Sequence, residues 1–310
     1  MNGLDFERPI LELERKIEEL KHITSDKEVI KRLETELEKK KEEVYQNLSA
    51  WQRVQIARHP KRPYALDYIN MILTDFYELH GDRLFSDDKA IVAGLAKLEN
   101  QKILVMGHQK GKDTKENLYR NFGCAHPEGY RKALRLMQLA QKFDLALLIL
   151  IDTPGAYPGI GAEERGQAQA IALNLREMVT ISVPIVVVVI GEGGSGGALG
   201  IGIGDRICVM ENAYYSVISP EGCAAILWKD SSKANQAAEA LKLTAQELLN
   251  FGIIDDIILE PQGGAHRDPE KSAKNLKETV KKHFKELQGI PKDQLLSLRY
   301  QKFRKIGAFA

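Results

Sequence analysis

A glycine-rich segment is the part of this sequence whose residue types are best suited to chemistry. Six of the ten residues 191–200 are glycine, and the segment directly follows an apolar run at 184–190. Glycine lets the backbone approach a ligand closely and adopt positive φ without steric penalty. Backbone N–H groups at the start of a helix are unpaired and attract negative charge. The pattern therefore predicts an anion or oxyanion site, although a tight strand-to-helix turn would also use glycines.

One interpretation of the segment is dinucleotide binding. Gly191, Gly193 and Gly196 match G-x-G-x-x-G after a predicted strand, and Glu211 follows 20 residues after the first of them. However, the motif lies late in the chain and outside any leading βαβ unit. Further glycines before residue 205 also leave room for only a short helix. These two features argue against dinucleotide binding.

A second interpretation is a serine hydrolase. Residues 193–197 match the nucleophile elbow G-x-S-x-G, with Ser195 as the nucleophile. Asp255 or Asp256 and then His266 follow in the order that such hydrolases use. However, short patterns match glycine-rich segments by chance, and the histidine lies in a glycine-containing stretch that resembles an exposed turn. The hydrolase is therefore an alternative that has to be excluded.

A third interpretation is an oxyanion hole without a nucleophile. Backbone N–H groups near Gly196 and Gly197 would hold a developing enolate-type oxygen. One such donor contributes a factor of roughly 10²–10³ in rate. This chemistry needs glycines and a helix start, and it needs no reactive side chain.

The elements that must position this segment alternate between strands and helices. Continuous apolar runs at 145–151 and 184–190 predict strands that are covered on both faces. Helices are predicted at 127–143 and 162–179. A β-hairpin is predicted from residues 90–98 and 102–109. Three further short strands are predicted at 206–210, 215–218 and 253–259. This order of elements indicates an α/β protein.

Charged helices are predicted towards both ends of the chain. Residues 1–50 contain two apolar stripes with helical spacing, and Ser25 with Glu28 forms a capping box at the start of the second. Narrow stripes on helices rich in Glu and Lys are typical of a helical hairpin or of a partner contact. A further helix is predicted at 60–80, and a long charged helix is predicted to begin at Asp268.

The composition excludes several classes of protein. The hydrophobic share of 44% and the charged share of 28% fit a globular protein with a core. A formal net charge of +1 argues against a surface built for nucleic acid or anionic lipid. Cys124, Cys208 and Cys223 are far apart, which favours buried thiols over disulfides or a metal site. No apolar leader is visible and every apolar run is far shorter than a membrane span, so we expect a cytoplasmic location.

Longer strings of the sequence carry a resemblance to one family. These strings lie at 121–123, 127–137, 151–159, 162–167, 191–197 and 215–222. They resemble the carboxyltransferase alpha-subunit family of bacterial acetyl-CoA carboxylases, and the resemblance extends over most of residues 50–265. Such contiguous strings are far more specific than the short patterns above, and the glycine segment shows no departure from the family.

The resemblance implies a fold and a reaction. The expected fold is α/β: a crotonase-like spiral of ββα units with an N-terminal helical hairpin. The expected parts are an extension at 1–50, a carboxyltransferase domain at 51–290 and a tail at 291–310. The family transfers the carboxyl group of carboxybiotin to acetyl-CoA, which gives malonyl-CoA for fatty acid biosynthesis.

The resemblance also implies partners. The chain would join a beta subunit that carries zinc in an α2β2 assembly, next to a biotin carboxylase and a biotin carboxyl carrier protein. The chain contains no Met-Lys dipeptide of the biotinylated type, so the biotin is expected on the separate carrier. No metal is expected on this chain, and nothing in it resembles an ATP site.

Site residues follow from the same resemblance. Gly196 and Gly197 would donate their N–H groups to the ureido oxygen of biotin. Six more residues would shape the biotin side of the cleft: Gly193, Gly194, Ser195, Gly155, Ala156 and Tyr157. An ordinary turn is an equal alternative for the last three, since Pro and Gly dominate turns. No nucleophilic role is assigned to Ser195, and no general base is evident.

Two other features have simpler explanations than catalysis. The basic loop at 110–115 would suit CoA phosphates, but its spacing does not match a phosphate loop, so a solvated surface loop is expected. His126 precedes the helix-starting Pro127 and is expected beside the helix cap. A chain with half an active site would also make a scaffold for its partner, and only an inactive variant that still assembles excludes that alternative.

Overall fold

The computed structural model describes residues 4–23 and 26–307. The strands are β1 (Thr74–Glu78), β2 (Ile91–Leu98), β3 (Gln101–His108), β4 (Ala146–Thr153), β5 (Ile185–Gly194), β6 (Arg206–Met210), β7 (Tyr214–Ser216) and β8 (Asp256–Ile258). The helices of the first half are α1 (Arg8–Ile23), α2 (Lys27–Tyr45), α3 (Ala50–Ala57), α4 (Ala65–Ile72), α5 (Thr114–Tyr119), α6 (Pro127–Lys142) and α7 (Ile160–Glu164). Those of the second half are α8 (Gln167–Met178), α9 (Ser195–Leu199), α10 (Pro220–Trp228), α11 (Ala234–Leu241), α12 (Ala245–Asn250), α13 (Pro269–Gln288) and α14 (Lys292–Arg304).

Within the described residues the strands form one mixed sheet. Its order is β1-β2-β3-β4-β5-β6-β8, and β7 pairs with β5 off this path. The first three strands are antiparallel neighbours, and β3, β4, β5, β6 and β8 run parallel. β5 pairs with β6 over 186–189 and with β7 over 192–194. β4 and β5 are buried on both faces, which explains their continuous apolar sequences and confirms both predicted strands. The antiparallel pairing of β2 with β3 confirms the predicted hairpin.

The predicted helix at 60–80 is confirmed only over residues 65–72. α4 ends at Ile72, where Leu73 takes an extended conformation. The following residues form the edge strand β1 against β2. Phe76 and Tyr77 belong to residue types that favour strands, and pairing with β2 decides the outcome.

The predicted helix at 162–179 is two helices, α7 and α8. The break is Gly166, whose φ of +81° is a left-handed conformation that glycine adopts without steric penalty. The break allows Arg165 to pair with Glu128 of α6, with Nη2 2.9 Å from Oε1. Good helix formers on both sides of the glycine conceal this turn in the sequence.

The C-terminal helix α14 is bound to the core through Arg299. Its guanidinium pairs with Asp205 at 2.7 Å, and it also donates to the carbonyl oxygens of Met178, Ile181 and Val183. Arg299 is 1% exposed. These bonds fix α14 to the start of β5 and to the turn before β6. The division of the chain at 50 and 290 remains a prediction.

The N-terminal helices α1 and α2 form the predicted hairpin. Their apolar stripes meet around the buried Ile10 and Leu37. Tyr45 at the end of α2 donates to the carboxylate of Glu7 at 2.6 Å, and Arg267 pairs with the same carboxylate at 3.4 Å. The hairpin is therefore attached to the main body through a partly buried polar contact.

The remaining helix predictions concern a cap and membrane crossing. Ser25, the predicted cap of the second helix, lies outside the described residues. Asp26 accepts hydrogen bonds from the backbone N–H groups of Glu28 and Val29 at the start of α2. None of the described helices combines the length and apolar character that a membrane span needs.

Candidate active site

Strand β5 places the glycine segment at the carboxyl end of the parallel strands, in the interior of the sheet order. The strand extends through Gly194, so Gly191 and Gly193 are strand residues and not loop residues. The chain then turns at Ser195, which has a φ of +50°, and begins the short helix α9. A Cβ on Gly194 would lie 2.2 Å from the carbonyl oxygen of Pro154. The segment is therefore a strand end and a tight turn, and the close approach to the chain after β4 requires glycine.

The predicted wall residues lie against this glycine turn. A Cβ on Gly197 would come within 2.4 Å of the carbonyl carbon of Gly155 and within 2.5 Å of the nitrogen of Ala156. A Cβ on Gly196 would meet only the Ile171 side chain, at 3.7 Å. Gly197 is thus packed against the wall, and Gly196 has room beside it. The first N–H groups of a helix have no partner within that helix, so this turn presents backbone donors.

Tyr157 is held by the start of α6. Its backbone N–H donates to the carbonyl oxygen of Ala125 at 3.0 Å, and its ring stacks on His126 with the ring centroids 4.0 Å apart. Gln167 of α8 donates to the carbonyl oxygens of both Ala125 and Tyr157. His126 is the N-cap residue of α6, as expected, but its side chain makes no capping hydrogen bond.

An apolar cavity of about 400 Å³ opens beside the turn. Ser195 and Leu199 form one side of it. Other parts of its wall come from Tyr215, Leu248, Phe251 and Phe303. A mainly apolar cavity is suited to an uncharged ring system. Of the predicted site residues Ser195 lines this cavity, whereas the Gly196–Gly197 pair and the wall residues 155–157 do not.

A buried charge cluster joins the ends of β3, β4 and β5. The Lys110 Nζ lies 2.6 Å from the Asp152 Oδ1 and 2.7 Å from the Glu192 Oε1. The backbone N–H of Glu192 also donates to Asp152, at 2.9 Å. Since Glu192 lies two residues before Gly194, the cluster fixes the strand end from which the turn starts. The predicted surface loop is therefore wrong for Lys110, which is buried, whereas Lys112 is exposed.

Arg58 extends the cluster from the end of α3. Its Nε lies 2.7 Å from the Glu192 Oε2, and its Nη1 lies 2.5 Å from the Glu221 Oε1. Tyr214 donates its hydroxyl to Glu192 at 2.6 Å. Burial acts to raise the pKa of Glu192, but the positive charges of Lys110 and Arg58 outweigh it and lower that pKa to about 2. Glu192 is therefore a carboxylate at neutral pH and is unsuited to act as a general base.

His108 is a fully buried histidine beside Gly197 and Lys110. Neither of its ring nitrogens has a hydrogen-bond partner among the residues that the structure describes. Burial, followed by the positive charge of Lys110, lowers the pKa of His108 to about 3. The Gly197 backbone opposes this shift, although its geometry falls short of a hydrogen bond. The ring is therefore neutral at physiological pH.

We expect the protein to lose stability as the pH falls below 6.5, and His108 to account for part of the loss. The unfolded histidine takes up a proton near pH 6.5, whereas the folded one does so near pH 3, so the unfolded state binds more protons between these values. The contribution of His108 is fully present above pH 6.5 and decreases by up to about 1.4 kcal/mol per pH unit between pH 6.5 and about pH 3. Urea unfolding at neutral pH and at about pH 5 measures the loss. It should be smaller in His108→Phe, and equal losses would contradict the assignment.

The structure contradicts the serine hydrolase. Its two candidate acids bind other side chains, in the pairs Asp255–Lys302 and Asp256–His283. His266 stacks on His59 with the ring centroids 3.8 Å apart. The preceding residues 263–265 are buried, so the expectation of an exposed turn is wrong. Asp255, Asp256 and His266 therefore contact other side chains and do not serve to activate Ser195.

Dinucleotide binding is contradicted as well. Gly191 and Gly193 lie within β5, and only Gly196 lies after the turn. The position of a side chain on Gly191 is filled by the carboxylate of Asp152, 2.6 Å from the ideal Cβ. The glycines that match the motif therefore do not form one phosphate-binding loop.

The three cysteines are free thiols. Cys208 and Cys223 are buried and Cys124 is partly buried. In the described ranges 4–23 and 26–307, no group of three or more His, Cys, Asp or Glu side chains is placed to hold a metal ion.

Similar solved structures define the class of the fold. Transcarboxylase 12S matches with a TM-score of 0.56 at 19% identity, over 70% of this chain and 41% of that chain. The beta subunit of geranyl-CoA carboxylase from P. aeruginosa matches with a TM-score of 0.57 at 18% identity, over 79% of this chain and 46% of that chain. This chain thus spans less than half the length of each. These likenesses confirm the predicted α/β fold of crotonase-like carboxyltransferases.

Full-length sequence matches define the family. The family model described as acetyl co-enzyme A carboxylase carboxyltransferase-like matches residues 3–307. The acetyl-coenzyme A carboxylase carboxyl transferase subunit alpha of Geobacter metallireducens is 59% identical over 99% of this chain and 98% of that protein. The Thermus thermophilus protein with the same description is 55% identical over 99% of both chains. This chain belongs to the acetyl-CoA carboxylase carboxyltransferase family.

Proposed function

We propose that this chain is the alpha subunit of an acetyl-CoA carboxylase carboxyltransferase. Together with a beta subunit it transfers the carboxyl group of carboxybiotin to acetyl-CoA, and the malonyl-CoA product serves fatty acid biosynthesis. The observation that carries this proposal is the match to alpha subunits over the full length of the chain. We place the chemistry at the Gly196–Gly197 turn.

The turn and the neighbouring cavity fit biotin, an uncharged bicyclic urea. Its ureido oxygen needs hydrogen-bond donors, and Gly196 and Gly197 present backbone N–H groups without side chains that would block them. The apolar cavity beside Ser195 has a volume of about 400 Å³ and suits the ring system. The other residues that we assign to the biotin side are Gly193, Gly194, Gly155, Ala156 and Tyr157.

The chain contributes positioning and charge stabilisation. Bound biotin carries the carboxyl group that is transferred. The N–H groups of Gly196 and Gly197 would donate hydrogen bonds to its ureido oxygen, and one donor of this kind is worth roughly 10²–10³ in rate. The proton that leaves the methyl group of acetyl-CoA would go to the ureido nitrogen from which the carboxyl group departs, so no side chain of the turn is assigned as its acceptor. Lys110 and Arg58 hold Glu192 as a carboxylate with a pKa of about 2, which makes it a poor base.

The reaction needs a partner, because charge also develops on the thioester oxygen of acetyl-CoA. One Gly-Gly turn serves one oxygen. We therefore assign the second set of donors, together with a zinc site, to the beta subunit of an α2β2 assembly. We assign the biotin to a biotin carboxyl carrier protein that a biotin carboxylase loads, and we place this assembly in the cytoplasm.

The reverse reaction tests the proposal. Malonyl-CoA and a soluble biotin derivative are supplied, and the release of acetyl-CoA is followed. We expect activity from the co-expressed alpha–beta pair and not from this chain alone. An inactive pair that is correctly assembled would contradict the proposed chemistry.

We expect Ser195→Ala to retain most of this transfer activity, because no step uses the hydroxyl. Loss of a true serine nucleophile would lower kcat by about 10⁶. Alanine is strained at the φ of +50° found here, so Ser195→Gly serves as the variant that accepts this conformation. The same assay compares both with the unaltered pair. A collapse of activity in both variants would restore the nucleophile interpretation.

A further inference from the structure

Two buried side chains hold the carbonyl end of α9. The hydroxyl of Tyr130, on α6, donates to the carbonyl oxygen of Gly197 at 3.2 Å. The amide of Asn174, on α8, donates to the carbonyl oxygen of Gly200 at 2.8 Å and to that of Tyr130 at 2.9 Å. Tyr130 is 0% and Asn174 is 1% exposed. Both flanking helices therefore bind the short helix that carries the glycine turn.

The Tyr130 hydroxyl provides a hydrogen-bond partner for a carbonyl group that has none within α9. α9 contains only five residues, and the last carbonyl groups of a helix have no partner within it. In a longer helix the N–H of Ile201 would bond the Gly197 carbonyl, but here it lies 3.4 Å from the carbonyl oxygen of Ala198. The Tyr130 hydroxyl takes its place. A buried carbonyl group that is left unpaired is unfavourable, because it loses its contact with water and gains no other donor.

The ring of Tyr130 also fixes where α9 lies. A Cβ on Gly200 would come within 2.5 Å of the Cε1 of that ring, so the backbone of Gly200 rests directly on it. Gly197 is packed against Gly155 and Ala156. The helix is thus held between an aromatic ring and the wall of the cleft, with one hydrogen bond from the ring's own hydroxyl.

We propose that Tyr130 and Asn174 are positioning residues for the backbone donors of Gly196 and Gly197. This inference rests on the proposed function, which places the oxyanion contact at that turn. All peptide groups of a helical turn share one direction, so side chains that hold the carbonyl oxygens also aim the N–H groups. N–H donors that are displaced by a fraction of an ångström stabilise the developing charge poorly, although substrate still binds.

The test removes a single hydroxyl. Tyr130→Phe keeps the ring and deletes the donor to Gly197. Tyr68→Phe is the matched control, because Tyr68 is equally buried and its hydroxyl donates to the sulfur of Met210 at 3.4 Å. In the alpha–beta pair we expect Tyr130→Phe to lower kcat of the reverse transfer about tenfold, with KM for malonyl-CoA changed less than about twofold. The control should keep both values.

A second readout does not depend on activity. Amide hydrogen exchange across 196–202 should be faster in Tyr130→Phe than in the unaltered protein or in Tyr68→Phe, because α9 opens more readily. Equal exchange and equal kcat in the two variants would overturn the inference. If Tyr130→Phe does not assemble, Asn174→Ala takes its place, and unchanged exchange with unchanged kcat overturns the inference there.

The two proposals fail in different ways. An inactive but assembled wild-type pair counts against the proposed function, and exchange at 196–202 still decides whether Tyr130 holds α9. An active wild-type pair with a fully active Tyr130→Phe counts against the positioning role alone.

Discussion

Replacing Gly197 with valine should lower carboxyl transfer about a thousandfold and leave the alpha–beta assembly intact. The new Cβ would lie 2.4 Å from the Gly155 carbonyl carbon and 2.5 Å from the Ala156 nitrogen, and both are backbone atoms. Either the glycine turn or the wall at residues 155–156 must therefore shift, and the shift changes the position of the N–H donors relative to the wall. We expect kcat of the reverse reaction to fall by about 10³, since one misplaced oxyanion donor alone costs roughly 10²–10³.

The control for this variant is Gly289→Val, at the end of α13. A Cβ there would meet its nearest atom, the Glu286 carbonyl oxygen, at 4.0 Å, so the added side chain has room. Size-exclusion chromatography of the co-expressed pair measures assembly, and acetyl-CoA release measures transfer. A Gly197→Val chain that no longer binds its partner would leave the scaffold alternative standing, and an assembled Gly197→Val pair with full activity would remove the catalytic assignment.

Replacing Lys110 with methionine should destabilise the chain by about 3–5 kcal/mol. The substitution keeps a long side chain and removes the charge that lies between Asp152 and Glu192. Asp152 is 1% and Glu192 is 6% exposed, so neither carboxylate gains enough water to compensate. Removing one member of a buried charge cluster leaves the others uncompensated, which is why the effect exceeds that of most single substitutions.

Lys292→Met provides the comparison at a surface ion pair. Lys292 lies 2.8 Å from Asp144, and the two side chains are 60% and 71% exposed. Water screens such a pair, so we expect a change within about 0.5 kcal/mol. Urea unfolding of both variants gives the two free energies. Similar losses would show that burial does not set the strength of the Lys110 cluster.

The parts of the fold that local sequence determines could be predicted. Apolar runs as long as a strand identify β4 and β5, because both faces of each strand are covered and no alternation interrupts the run. The hairpin of β2 and β3 and the start of α6 at Pro127 follow from equally local signals. The strings that carry the family resemblance add the site assignments, which no periodicity provides.

The long-range contacts that position the site residues could not be predicted in the same way. Lys110 stands in a short stretch of Gly, Lys, Asp and Thr that is typical of a surface loop, but its partners lie 42 and 82 residues away in sequence. Tyr130 and Gly197 are 67 residues apart. Pairing with β7 also extends β5 to Gly194 and turns a predicted loop into a strand end. Such contacts depend on the folded topology, which a local pattern does not contain.

The attachment of α14 through Arg299 has a consequence for the timing of synthesis. Asp205 leaves the ribosome 94 residues before the arginine that pairs with it. At about 5–20 residues per second, that interval lasts about 5–20 s. Throughout it, Asp205 and the carbonyl groups of Met178, Ile181 and Val183 lack their cation. We therefore expect the nascent sheet to complete its packing only after Arg299 has emerged from the ribosome.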